Sequence, residues 1–291
     1  MNIYKPKEVS KMLLEFKCSN HKSIKEKVIF SMIAGSDNTS EELLKKFGNL
    51  RVLRSAVIYG PNGSGKSNFI SALSFMRDLV SNSINHQPGQ GVFQARHKLS
   101  SEETPSEYAI QFVRNDIRYA YGFSVKQNLI QDEYLYYFPK GKQVKIFERN
   151  GLEIRPGDKY KRLFDVSISI LKDNRLFLSC AANYSNIKEI EEAFMFFNTD
   201  IVVYNPEINN WTEYSVELMQ NNDTIKKVFV EILRALGTGA KDVKVKLEKI
   251  KLADLPQELQ LPDALKSLLV GQEGNRINAK VVYDQFEVDL M

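Results

Sequence analysis

The sequence predicts an α/β fold on three observations. A short apolar run ends in a glycine-rich turn, an amphipathic helical stretch follows directly, and a series of alternating β-prone segments comes later. The chain has 291 residues, enough for two lobes or one large domain. Its 43% hydrophobic and 26% charged content excludes disordered, collagen-like and coiled-coil classes.

Taken in order, Leu13, Leu14, Phe16 and Cys18 read as a strand and Val28 to Ile33 as a second, with Ser19-Asn20-His21-Lys22-Ser23 breaking them. Asp37 to Asn49 is polar and reads as partly helical. Val52 to Tyr59 reads as a buried strand, expected at the centre of a mixed sheet. Phe69, Leu73, Met76 and Val80 recur at helical spacing, with Ala72 and Leu79 beside them, so a helix follows the turn. Ser81 to Ser106, centred on Gln87-Pro88-Gly89-Gln90-Gly91, reads as a surface loop.

Tyr108–Val113, Ile117–Val125, Ile130–Phe138 and Val144–Glu148 are strand-like. Turn signals at Asn115-Asp116, Pro139-Lys140-Gly141 and Asn150-Gly151 make them an antiparallel meander. Arg162 to Phe197 turns helical, Ile201 to Tyr204 reads as a short strand closed by Asn205-Pro206, and Val216 to Leu236 as a helix stopped by Gly237. Lys241 to Lys251 alternates, and Lys280 to Val288 reads as a last strand. The implied division is 12–82 for the hairpin and loop–helix core, 83–106 for the surface loop and 107–150 for the antiparallel lobe. A mostly helical region at 160–237 and a mixed α/β segment at 238–291 complete it.

Chemistry concentrates in Gly60-Pro61-Asn62-Gly63-Ser64-Gly65-Lys66-Ser67, which satisfies G-x-x-x-x-G-K-[ST] between an apolar strand and a helix start. Glycines let backbone N–H groups turn inward, and the helix N-terminus adds aligned dipoles, so the loop makes a nest for phosphate. Lys66 is placed for the β- and γ-phosphates, Ser67 for Mg²⁺ through its hydroxyl, and Asn62 for the γ-phosphate side.

Elsewhere the signals are weaker. Forty Lys and Arg against 36 Asp and Glu leave +4, too small a surplus to argue for nucleic acid. Lys244, Lys246 and Lys249 beside Val243, Val245 and Leu247 form a basic strand face, a candidate nucleic-acid contact for which a solvated sheet face is the stronger reading. Tyr134, Tyr136 and Tyr137 are explained by β alternation without base stacking. Cys18 and Cys180 cannot make a disulfide framework, and His21, His86 and His97 lack ligand spacing. Neither a membrane-length apolar run nor a signal peptide is visible, which fits a cytoplasmic protein with no membrane partner.

The segment Gly60 to Asn68 resembles the G-P-N-G-S/A-G-K-S/T-N form of the P-loop in ABC-type ATPase heads, including the RecF and SMC group. Leu14-Glu15-Phe16, Ser19-Asn20-His21-Lys22-Ser23-Ile24, Phe30-Ser31-Met32-Ile33-Ala34 and Leu176-Phe177-Leu178-Ser179-Cys180-Ala181-Ala182 are similar to signatures of bacterial AAA-type, ABC-like ATPases associated with phage defence. The resemblance implies a P-loop NTPase of the ABC-head kind, with an antiparallel β lobe and a helical region, that uses ATP and Mg²⁺. It places Asn20, Lys22 and Ser23 on the phosphate or adenine side, Asn68 in the P-loop and Lys66 in the catalytic role. Asn183 stands where the family often has a glutamine coupled to Mg²⁺ and the attacking water, and His21 and Lys22 replace the usual Phe and Arg.

The resemblance also implies a Walker B segment and a signature loop, and neither is visible. Val281-Val282-Tyr283-Asp284 is followed by Gln285, Ile201-Val202-Val203-Tyr204 by Asn205, and both read as plain strands. The chain is therefore expected to be the N-terminal portion of such a head: a truncated gene, a fragment or a split subunit. The expected partners are a second copy in a homodimer or the C-terminal half of a split ATPase, with a nuclease effector to be sought. Three functions stay open: a nucleotide-driven ATPase switch in defence, a binding module without turnover, and a P-loop kinase or GTPase, the last disfavoured by the absence of Asn-Lys-x-Asp.

Overall fold

Alternating burial along the β-prone segments builds the largest element of the molecule, which we describe from a computed structural model covering residues 10–36, 41–203, 210–251 and 273–290. The chain divides into two units, Met1–Val203 and Tyr204–Met291.

In the first unit, strands β1 (Lys11–Ser19), β2 (Val28–Ser31), β3 (Leu44–Phe47) and β4 (Leu50–Leu53) precede helix α1 (Lys66–Asn82). Strands β5 (Ser106–Arg114), β6 (Ile117–Lys126), β7 (Leu129–Phe138), β8 (Val144–Asn150) and β9 (Glu153–Pro156) follow. Helices α2 (Asp165–Ser169), α3 (Phe177–Tyr184) and α4 (Lys188–Met195) then lead into a π-helical turn, Phe196–Asp200. Seven of these strands form one antiparallel sheet in the order β2-β1-β5-β6-β7-β8-β9. The meander expected over Tyr108 to Glu148 is therefore present, and β1 joins it by pairing Cys18 with Tyr108 and Phe16 with Ile110. Asn115, Asp116, Gln127 and Asn128 all have positive φ, as tight hairpin turns demand. The second of these turns carries no glycine or proline to announce it.

One face of the sheet carries Phe16, Tyr108, Ile110, Phe112, Tyr121 and Leu135, and α1 packs on the same core through Phe69, Ala72, Met76, Leu79 and Val80. Phe16 meets Phe69 edge-on at 5.3 Å, and Phe112 stacks on Phe196 at 3.9 Å. Helix α3 is fixed by a buried carboxylate. Glu133 on β7 accepts hydrogen bonds from the backbone N–H groups of Phe177 (2.6 Å) and Leu178 (2.9 Å) and from the Tyr121 hydroxyl (2.9 Å). Its charge partner is the equally buried Arg149 at 3.3 Å, which also donates to the carbonyls of Gly151, Lys172 and Arg175. Burial raises the Glu133 pKa, while Arg149 and the two backbone donors oppose the rise.

Several expectations are corrected. The run Val52 to Tyr59 is not a central buried strand: regular structure stops at Leu53, and β4 pairs with β3 in a two-stranded hairpin. Beyond it Val57 is 82% exposed and Tyr59 90%, and Ser55 to Tyr59 make no hydrogen bond among the described residues. Apolarity selected the run, but a strand also needs neighbours, and the neighbouring chain here has closed on itself as an antiparallel hairpin. Leu44–Phe47 is a strand inside the stretch read as polar and partly helical, where, among the described residues, Glu41–Leu43 is a helical turn. Residues 37–40 of that stretch lie outside the described ones. Ile201 to Val203 form no strand, and Tyr204 to Pro206 are outside the described residues.

In the second unit the single helix expected from Val216 to Leu236 is two, α5 (Asn210–Asn221) and α6 (Asp223–Ala235). Asn222 breaks them by capping α6, its Oδ1 accepting from Thr224 N (3.0 Å) and Ile225 N (3.2 Å). Gly237, with φ 73°, ends α6 where a left-handed residue is required. Strands β10 (Asp242–Lys251), β11 (Glu273–Val282) and β12 (Glu287–Asp289) form an antiparallel sheet. The last strand expected from Lys280 to Val288 is thus two strands with a turn, closed by Tyr283 N–H donating to Phe286 O. Val216, Met219, Val230, Val243, Ala279 and Val281 make this unit's own core.

Candidate functional site

The loop Gly60–Ser67 keeps the backbone its spacing demands. Gly63 has φ 80° and Gly65 φ 93°, left-handed values that a side chain would strain. A Cβ on Gly65 would also lie 3.0 Å from Ser23 Oγ, so this glycine admits the Asn20–Ser23 turn against the helix start. Lys66 opens α1, and Phe69 N–H closes the first turn onto Gly65 O at 3.0 Å. The Lys66 ammonium folds back over the loop, donating to Gly60 O at 2.7 Å and Pro61 O at 2.8 Å. Pro61, Asn62, Gly63, Ser64 and Ser67 are exposed to solvent.

The turn after β1 is built against this loop. Ser23 Oγ accepts from Asn68 Nδ2 at 2.7 Å, and Lys22 Nζ donates to Ser71 Oγ on α1 at 2.6 Å. Asn20 and Lys22 both have φ near 50°, held by surrounding bonds. Asn20 is 1% exposed; its Nδ2 donates to Thr104 O (2.9 Å) and its Oδ1 accepts from His97 N (3.0 Å). Asn20 therefore braces the turn from inside, and Lys22 and Ser23 are its members against the helix. Asn183 is exposed on α3, where its amide donates to Ser179 O at 2.8 Å one turn earlier. Among the described residues no hydrogen bond connects it with the loop.

The spacing of the motif did not reveal His21. It is 2% exposed, with Nδ1 2.8 Å from the Tyr108 hydroxyl and Nε2 3.4 Å from Ser71 Oγ. Burial, and then the neighbouring Lys22 charge, push its pKa down to about 4, so the ring is neutral at pH 7. Burial likewise pushes the Cys18 thiol up to about 11 and raises Tyr108. The one hint in the sequence was a histidine in the turn five residues past a strand's buried phenylalanine, a position that faces inward only because the chain doubles back there.

The other candidates have ordinary partners. Lys244 pairs with Glu287, and Lys280 lies 3.6 Å from Asp289, as on a solvated sheet face. The side chains of Leu247 and Lys249 are outside the described ones. Tyr136 bonds Glu148, Tyr137 is 8% exposed, and Asp284 lies 3.4 Å from Lys241 at the edge of the second unit's sheet. Among the described residues no cluster of three His, Cys, Asp or Glu is arranged to hold a metal, and no helix is long and apolar enough to cross a membrane.

A family model described as "AAA domain, putative AbiEii toxin, Type IV TA system" matches residues 55–169. The match begins at the exposed run before the loop and extends through α1 and the meander into α2, which supports an AAA/ABC-type P-loop ATPase family. No curated protein matches the chain.

Proposed function

We propose that the chain is an ATP-binding subunit of an ABC-type ATPase, working as a nucleotide-driven switch in a bacterial anti-phage system. The observation that carries the proposal is the Gly60–Ser67 loop, with Gly63 and Gly65 left-handed and Lys66 at the head of a 17-residue helix. In it, backbone N–H groups and the helix dipole hold the β-phosphate, and Lys66 leaves the Gly60 and Pro61 carbonyls for the β- and γ-oxygens. The exposed Ser67 hydroxyl suits one Mg²⁺ ligand, and the ion would neutralise charge between the phosphates. Lys22 and Ser23 stand by on the adjoining turn, with Asn20 and His21 bracing them from inside.

The partner is a second copy or a polypeptide carrying the remaining catalytic motifs. A second function, a module that holds nucleotide without turning it over until such a partner docks, is favoured by the unpaired, exposed Ser55–Tyr59 leading into the loop. Phosphoryl transfer depends on positioned groups acting as a unit, and a loop entered by an extended segment that has no hydrogen-bonded partner among the described residues is poorly fixed for it.

Calorimetry with Mg²⁺ and ATP tests the site. Lys66→Ala removes a charge-assisted contact and should weaken binding by about 10- to 150-fold. Equal affinity in a folded variant would refute the assignment. Phosphate release separates the two functions: Lys66-dependent turnover by the chain alone, at about 0.01 s⁻¹ or faster, marks the switch, and binding without it marks the module.

A further inference from the structure

The two edges of the seven-stranded sheet differ. Strand β9 closes one side with Glu153, Arg155 and Pro156, and charges and a proline discourage further pairing. Strand β2 forms the other side with Val28 and Ile29 exposed, Ile29 to 57%. Met32 N–H bonds Leu14 O on β1, so by alternation Val28 and Phe30 also turn their backbone groups to β1. Those of Ile29 and Ser31 face outward, where no backbone group meets them among the described residues.

The chain able to fill this edge already lies at its end. Ile33 bridges Val52 antiparallel, with Leu53 N–H donating to Met32 O at 2.7 Å and Ala34 N–H to Arg51 O at 2.8 Å, on the side away from β1. Beyond β4 the chain therefore heads back along β2, and residues 55–59 are that continuation, exposed and without a hydrogen bond among the described residues. Arg51 and Leu53 present backbone groups to this strand, so alternation brings Ser55 and Val57 next. Placing Leu53 and Arg54 together opposite Met32, as in a β-bulge, sets Ser55 against Ser31, Val57 against Ile29 and Tyr59 against Lys27. Val57, itself 82% exposed, and Ile29 then cover each other on one face.

We propose that residues 55–59 are a closing strand, which zips onto the outer edge of β2 when phosphate is bound in Gly60–Ser67. The proposal rests on reading that loop as a phosphate site. The exit of the loop is already fixed to the turn between β1 and β2, where Ser23 Oγ accepts from Asn68 Nδ2 at 2.7 Å and stands 3.0 Å from a Cβ placed on Gly65. Closure brings the entry, Tyr59, to Lys27 before β2, so one hairpin holds both ends of the nest. Ordering the segment costs conformational entropy, which keeps it open without ligand. A phosphate that binds the fixed loop better than the free one shifts the balance to the closed state.

The test follows hydrogen exchange and Mg²⁺-dependent ATP affinity in wild type, Val57→Pro, Val57→Ala and Lys66→Ala. In wild type, ATP should slow exchange at Ile29, Ser31 and residues 55–59 together, at any protein concentration. Val57→Pro removes an N–H that is unbonded in the open state, so its melting temperature without ligand should equal that of wild type. Its ATP affinity should fall by about 2- to 12-fold, the worth of one backbone hydrogen bond, and saturating ATP should leave Ile29 and Ser31 unprotected. Val57→Ala keeps the N–H and should keep that protection, whereas Lys66→Ala should lose both binding and protection. Lys66-dependent binding that leaves β2 unprotected, or protection of β2 in Val57→Pro, overturns the closing strand and spares the loop reading. Protection that grows with protein concentration assigns the edge to a second copy and also overturns it, as does a lowered melting temperature of ligand-free Val57→Pro, which would mean the strand is paired already. If wild type binds no ATP, the loop reading falls and ligand-driven closure with it.

Discussion

A single imidazole joins three elements beside the phosphate-binding loop. His21 lies in the turn after β1, 2.8 Å from Tyr108 on β5 and 3.4 Å from Ser71 on α1, and Lys22 donates to that same serine. Burial, and then the Lys22 charge beside it, disfavour a proton on His21, so its folded pKa of about 4 lies below the ordinary 6.5. The unfolded chain takes up that proton as pH falls through 6.5, and the folded chain does so only near 4, so stability should fall across this window and level off below it. Urea denaturation at pH 7.5 and pH 5.0 checks this: wild type should lose more stability than His21→Gln, and equal losses would remove His21 as the cause. The glycines of the loop were legible from sequence because only one backbone suits them. His21 was not, since spacing says nothing about which residue of a turn points inward.

At the scale of elements, amphipathic periodicity identified α1 and the meander because each needs only its own side chains and an adjacent face. It failed where a local cap or turn cut an otherwise continuous pattern, as at Asn222 and between Val282 and Glu287. It also could not show how α3 is held. Its first N–H groups find Glu133 on β7, 44 residues away, which in turn holds the Arg149 charge. Glu133→Ala would leave Arg149 buried without its partner and two helix donors unmet, at a cost of about 3–5 kcal/mol. Glu133→Gln keeps one acceptor and should cost less. Thermal unfolding of both variants decides the point: if Ala and Gln are equally mild, the carboxylate is not what anchors the helix.

For the whole molecule, the sequence told least about what the chain does not contain. Val52 to Tyr59 was read as buried, and its composition still asks for burial, yet within this chain Val57 and Tyr59 stay in water. Composition records the surroundings a segment evolved to meet, and those need not lie in the same polypeptide. Each unit nevertheless builds its own core, the first around the seven-stranded sheet and the second between α5, α6 and β10–β11.

The position of β1 between β2 and β5 gives the exposed run one more property. The described residues before Gly60 are held to the rest by the β1–β5 pairing, by Phe16 and Cys18 in the core and by the hydrogen bonds of the Asn20–Ser23 turn, whereas the covalent link itself crosses open solvent. The molecule has a seam. Residues 1–59 and 60–291, produced as two polypeptides, should assemble without a linker and co-elute on native size-exclusion chromatography, and independent elution would contradict the β1–β5 pairing. In the assembled pair the phosphate loop would begin with a free α-ammonium on Gly60, a positive charge placed by the cut itself at the mouth of an anion nest.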